Sequence, residues 1–220
     1  MLRFLLGLLA TGIIITSFGQ ESKKGVKVIL PDPKFTSKVS VEEALLNRRS
    51  VRSYKNEPLT IEQVSQLLWA AQGKTAGWGG RTAPSAGATY PLETYLVVGN
   101  VTKLPVGIYK YDPADHSIKM IMDKDMRQEL AKAALGQDFI HQAPIDIVLA
   151  AAYRRTTRIY GERGKRYVHM EIGHVGQNIH LQCETMGLGT VMVGAFSDEQ
   201  VKKLLGIEAE PLYIMPVGKK

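Results

Sequence analysis

Apolar residues recur along this chain at helical and strand spacings, with recognisable boundary residues between the runs. Ser40-Val41-Glu42-Glu43 reads as a capping box, and the helix it starts should run to about Arg48. Thr60-Ile61-Glu62-Gln63 is a second one, opening a helix with Ile61, Val64, Leu67, Leu68 and Ala71 on one face. Residues 73–87, rich in Gly, Ala, Ser and Thr, predict a long loop, which in a compact domain is usually functional or disordered. Leu96-Val97-Val98 and the run 145–150 predict buried strands, the second of them central. Runs 107–111 and 117–121 flank Asp112-Pro113-Ala114-Asp115-His116 as a hairpin.

Helices are predicted over 126–135 and 164–186, with a last one capped by Ser197-Asp198-Glu199-Gln200 and ending at Leu205. Strands are predicted over 191–193 and 212–217. Helices and strands mix around a central hairpin, which predicts an α+β domain, a sheet covered by helices rather than a doubly wound one. Gly173, Gly176 and Cys183 space the 164–186 helix with small residues, so it should lie at the centre or at a subunit contact.

The first 19 residues stand apart. Arg3 precedes an almost wholly apolar run, Phe4 to Phe18, and Ser17-Phe18-Gly19 then offers small residues before Gln20. This matches a secretory signal peptide over 1–19, with an N-terminal anchor as the other reading. The protein is therefore expected to be exported, and to meet a membrane only if that segment stays uncleaved. Residues 20–38, polar and carrying Pro31 and Pro33, predict a flexible linker, and residues 39–220 the folded domain.

Composition narrows the chemistry. The net charge is +7, with much of the excess in Arg154, Arg155, Arg158, Arg163, Lys165, Arg166 and the terminal Lys219-Lys220. No basic–aromatic interleaving or helix-turn-helix accompanies it, so nucleic acid is not the expected partner. Cys183 is the only cysteine, which excludes an intrachain disulfide and points to a small buried hydrophobe. His169, His174 and His180 lie on the long helix without a carboxylate at ligand spacing, so packing is expected and no metal.

Candidate chemistry concentrates in a few strings. Arg48-Arg49-Ser50-Val51-Arg52 puts three guanidiniums and a hydroxyl at a helix end. Arginine forks suit phosphate, although cations at a helix C-terminus also complement its dipole. Pro84-Ser85-Ala86-Gly87-Ala88-Thr89-Tyr90-Pro91-Leu92-Glu93 lets backbone approach a ligand closely before a forced extended turn. Together they suggest a phosphorylated, aromatic cofactor such as a flavin mononucleotide. Gly187-Leu188-Gly189 follows a helix instead of opening one, so it is no dinucleotide fingerprint; Gly187 reads as a helix C-cap, whereas the backbone N–H of Gly194 could face a ligand.

These strings, with Tyr160-Gly161-Glu162-Arg163-Gly164, Gly173-His174-Val175-Gly176-Gln177-Asn178 and Gly187-Leu188-Gly189-Thr190 through Val193-Gly194, resemble the nitroreductase family in the same order from about Val39 to Lys220. The likeness is strongest to the branch of the azoline dehydrogenases. The resemblance implies an FMN-binding obligate homodimer with a mostly antiparallel sheet covered by helices, and two flavins at the subunit interface. It places Arg48, Arg49, Ser50 and Arg52 on the phosphate and ribityl chain, and Pro84, Ser85, Ala86 and Gly87 against the flavin from the second subunit. Val193, Gly194 and Ala195 fall near the reactive N5, and Lys219 and Lys220 where a basic phosphate ligand stands. The family mechanism is ping-pong: NADH or NADPH gives a hydride to N5, and a nitro, quinone or other conjugated acceptor takes the electrons. Oxidation of an azoline or other heterocycle is the alternative, and a flavin store or redox sensor the non-enzymatic one. Tyr160 is the candidate catalytic residue, with packing the competing role; the lysine that precedes it in azoline dehydrogenases is Ile159 here.

Overall fold

A strand with no exposed residue needs an apolar layer on each of its faces, and the run Ile145–Ala151 is buried at every position. In the computed structural model, which describes residues 24–220, this run is the fifth strand of a seven-stranded sheet. The strands are β1 (Lys27–Ile29), β3 (Leu92–Val98), β5 (Gly107–Asp112), β6 (Ser117–Met122), β7 (Ile145–Ala151), β8 (Leu188–Thr190) and β9 (Glu210–Lys219), in the order β1-β6-β5-β3-β7-β9-β8. Every pairing is antiparallel. Short β2 (Leu59–Thr60) and β4 (Val101–Thr102) pair in parallel apart from the main sheet.

Alternation along the strands sorts the core into two layers. Leu92, Leu96, Val98, Ile145, Ile147, Leu149 and Ala151 meet Leu67 and Leu68 of α2 (Ile61–Gln72) and Val168, Ile172, Val175 and Ile179 of α6 (Arg163–Thr185). The alternate residues Tyr95, Val97, Val148 and Ala150 meet Leu130 of α3 (Arg127–Ala133), Ile140 of α4 (Asp138–Gln142) and Val201 and Leu205 of α7 (Asp198–Leu205). Among the described residues two α-helices remain, α1 (Val41–Asn47) and α5 (Arg154–Tyr160).

The caps behave as their side chains dictate. Thr60 Oγ1 accepts from the Gln63 N–H at 3.3 Å while Gln63 Oε1 accepts from the Thr60 N–H at 2.9 Å, a reciprocal box. Ser40 and Ser197 cap α1 and α7 in the same sense. Gly187, at φ +66°, takes the left-handed position just past α6. Along α6, Gly176 lies under Met192, whose sulfur a Cβ would meet at 2.5 Å, whereas Gly173 faces open space.

Four expectations change. The linker over 20–38 is ordered in its described part: β1 pairs with β6, Leu30 is buried, and the Gln66 amide grips Lys34 through both backbone groups (2.8 and 3.0 Å). Pro31 and Pro33 hide this from a composition reading, since the β-rich run Lys27-Val28-Ile29-Leu30 sits just before them. The strand expected at 191–193 lies at Leu188–Thr190, and Val193 makes only an isolated bridge to Ile214. Helices α4 and α5 are too short for a hydrophobic period to reveal them. His169 and His180 share a helix face by spacing, yet His169 is exposed and bonds the Tyr153 hydroxyl, while His180 is buried. The segment 1–19 lies outside the described residues; among those described, no helix is long and apolar enough to cross a membrane.

Truncating Leu149, which is fully buried on the central strand, should cost about 2–5 kcal/mol. Urea unfolding of Leu149→Ala should show a lower midpoint at an unchanged slope.

Candidate active site

β8 is an edge strand, and the chain leaving α1 adds to it. Ser50 pairs in parallel with Thr190, the Val51 N–H donates to Thr190 O at 2.9 Å, and the Lys55 N–H donates to Lys219 O at 2.9 Å. Gly189 and Gly218 make this docking close: a Cβ on either would lie 2.7 Å from the side chain of Val51 or Tyr54. The Tyr54 hydroxyl completes the seam by donating its one hydrogen to Val51 O at 2.8 Å, with Pro216 O as a second acceptor within reach at 3.3 Å. The string Arg48–Arg52 and the terminal Lys219-Lys220 thereby reach one corner of the sheet.

Their side chains have different employment there. Arg49 donates to Leu46 O and Arg48 O at 2.9 and 2.8 Å, so its guanidinium serves the end of its own helix. Arg52 lies 5.9 Å from the Phe139 ring centroid, an exposed cation over an aromatic face. Lys219 pairs with Glu57 and Lys220 with Glu184, at 2.8 and 2.6 Å. Arg48 and Glu184 both act on His180, whose buried Nε2 has no hydrogen-bond partner. Burial, with the Arg48 charge adding to it, pushes the His180 imidazole down to about 4, so it is neutral at neutral pH.

The second string folds as a strained turn. Ala86–Ala88 form a single 3-10 turn, and Gly87, Ala88 and Tyr90 all have positive φ, at +58°, +51° and +42°. For Ala88 and Tyr90 that backbone costs on the order of 1 kcal/mol or more each, the kind of strain that collects at functional sites. The turn is held by the Tyr90 N–H donating to Ser85 Oγ at 2.9 Å and by the Arg81 guanidinium, 4.4 Å from the Tyr90 ring centroid. Tyr160 ends α5 directly above: a Cβ at Gly87 would meet its hydroxyl oxygen at 2.5 Å. Its ring stands edge-on to Tyr167 at 5.1 Å. Position and packing thus coincide at Tyr160, and Ile159 beside it is exposed.

The third string lies at the far end of the bridge between Val193 and Ile214. Gly194 is exposed, and a Cβ there would touch only Tyr213, at 3.8 Å. Ala195 O accepts from the Gln137 amide at 2.9 Å, anchoring the segment. None of these candidates lines the cleft of about 1040 Å³ between residues 32–41, α1, α2 and α6.

Sequence reasoning passed over Glu171. It is a lone carboxylate on the buried face of α6, 3% exposed, beneath the Pro84–Gly87 turn. Its signal was present in the chain: an acidic residue in register with Val168, Ile172 and Val175, where an apolar one is expected. Burial raises its carboxyl to about 7, with the Ser85 hydroxyl and the Arg81 guanidinium pulling the other way.

A corner rich in cationic donors and a bare-backbone turn are a chemistry shared with known proteins. The sequence matches the Nitroreductase family over residues 45–219. It is 51% identical, over 89% of this chain and 97% of the other, to a Methanocaldococcus jannaschii protein assigned to the nitroreductases. It is 23% identical to a Bacillus subtilis FMN reductase, over 81% of this chain and 63% of that one. Among solved structures, one assigned to the nitroreductases from Ralstonia eutropha superposes with a TM-score of 0.77 at 29% identity, covering 91% of this chain and 95% of that one. The chain belongs to the nitroreductase family of flavin oxidoreductases.

Proposed function

We propose that the protein is an exported, homodimeric FMN enzyme that takes electrons from NADH or NADPH and passes them to a nitro, quinone or other conjugated acceptor. The observation that carries this is the docking of residues 50–55 onto β8 and β9, which sets Ser50 beside Thr190 and leaves Arg48 and Lys220 around His180 and Glu184 at one corner. Forked guanidiniums, an ammonium and a hydroxyl are the donor set a phosphate monoester needs. Bound there, FMN supplies the two-electron redox chemistry. The chain's part is to hold and orient it. Arg48 and Lys220 neutralise the phosphate, Ser85 offers a hydroxyl beside the Gly87 turn that Tyr160 covers, and Gly194 leaves the backbone bare.

A second copy is supported by the apolar residues beside these surfaces. Leu45 and Leu46 precede Arg48 and are 51% and 72% exposed; Ile159 adjoins Tyr160 at 56%, and Met170 on α6 is 52% exposed. Residues of this kind flanking an open ligand surface favour burial against a partner. The azoline reading is disfavoured by Ile159, which stands where the azoline dehydrogenases carry a lysine.

Purified full-length protein supplied with FMN should show flavin absorption that bleaches when NADH is added without oxygen. Bound flavin that never bleaches would leave a store or sensor instead. Arg48→Ala should weaken FMN binding by about 10- to 100-fold, the worth of a charge-assisted contact, in a fluorescence titration. Met170→Glu should shift the protein toward monomer in analytical ultracentrifugation while leaving its far-ultraviolet circular dichroism unchanged.

A further inference from the structure

Buried carboxylates are rare without a full set of partners, and Glu171 lacks one: its Oε1 is sealed from solvent and has no hydrogen bond. The groups that face it come from the loop before β3, namely the Ser85 hydroxyl and the Arg81 guanidinium. Both of these also hold Tyr90. Ser85 Oγ accepts the Tyr90 N–H, and Arg81 stacks on the Tyr90 ring while donating to Gln72 Oε1 at 2.6 Å. Glu171 therefore stands on the helix beneath the strained turn, and the two residues that keep the turn in place act on its carboxyl.

We propose that Glu171 is a positioning residue that decides where the single hydroxyl hydrogen of Ser85 points, inward to the carboxylate or outward to the ligand face of the turn. The inference rests on the assignment of that face to FMN. A neutral Glu171 donates its own O–H to Ser85 Oγ, which has two lone pairs and so can accept from Tyr90 as well. The Ser85 hydrogen is then free to meet an acceptor such as a ring carbonyl. An ionised Glu171 can only accept, so it draws the Ser85 hydrogen inward and leaves an oxygen lone pair toward the ring. Burial holds the carboxyl near 7, which puts the change within the working range of the protein. The other charged or titratable groups around the pair face Arg81: Tyr90, Tyr111 of β5 and Arg155 of α5. Burial raises the Tyr111 hydroxyl, and arginine keeps its charge, so neither masks a titration near 7.

The sign follows from linkage. The carboxyl is neutral below about 7, where binding is strongest, and ionises above it, where one hydrogen bond to the ligand is lost. The affinity of the full-length protein for FMN should be level in mildly acid solution. It should then fall roughly five- to tenfold between about pH 6 and pH 8, the worth of one hydrogen bond. Glu171→Gln should bind as the wild type does in acid and stay level across the range, because the amide keeps a donor toward Ser85. Ser85→Ala removes the responding hydroxyl without touching the buried helix face, so it should bind more weakly and also without the step. Equal loss at every pH in Glu171→Gln, or a wild-type step surviving in either variant, would overturn the proposal while leaving the flavin assignment standing. A wild type that takes up no FMN at any pH would sink the flavin assignment, and this inference with it.

Discussion

The burial of β7 is the constraint on which the rest depends. A strand with both faces sealed must have neighbours on both edges and helices above and below, and the alternation of its residues decides which helix meets which. α6 and α2 take one face and α3, α4 and α7 the other. Once α6 is seated, its two ends are placed relative to the sheet. The strained turn lies over Glu171 within the first half of α6, and the cationic corner surrounds His180 and Glu184 near its C-terminal end. From Glu171 to Glu184 is 13 residues of helix, or about 20 Å at 1.5 Å per residue.

Much of the fold was legible because it follows from period and capping. All three capped helices, the central strand, the hairpin and the long helix appear where apolar spacing and Ser or Thr caps put them. What escaped was local and short. β1 is three residues of ordinary strand chemistry in front of two prolines, and its order comes from partners far along the chain, Ser117 to Lys119. The 191–193 error has a similar cause: Leu188 to Thr190 and Val191 to Val193 are both plausible strands, and only pairing with Val217 to Lys219 chooses between them.

The candidate site is legible in its charged and glycine-rich strings and illegible in its buried polar ones. Arg48, Ser85 and Gly87 declare themselves because their residue types are unusual in sequence. Arg49 has a second use that its string does not show, since the unpaired carbonyls of its own helix end compete for its guanidinium. Glu171 and His180 are invisible as chemistry until the helix is docked. Each is a polar residue in a position where packing alone asks for an apolar one, and local consistency tends to fail at functional sites.

In the proposed dimer these features acquire a common cause. Ligand sites that hold a cofactor firmly enclose most of its surface, yet the turn and the corner both lie open in one protomer. A two-fold interface presents the same patch twice, so the corner of one copy can face the turn of the other and both sites close together. Leu45 and Leu46 at the corner, with Ile159 and Met170 near the turn, then become the apolar rim that excludes water from the ring. Desolvation by the partner would strengthen every charge already placed there.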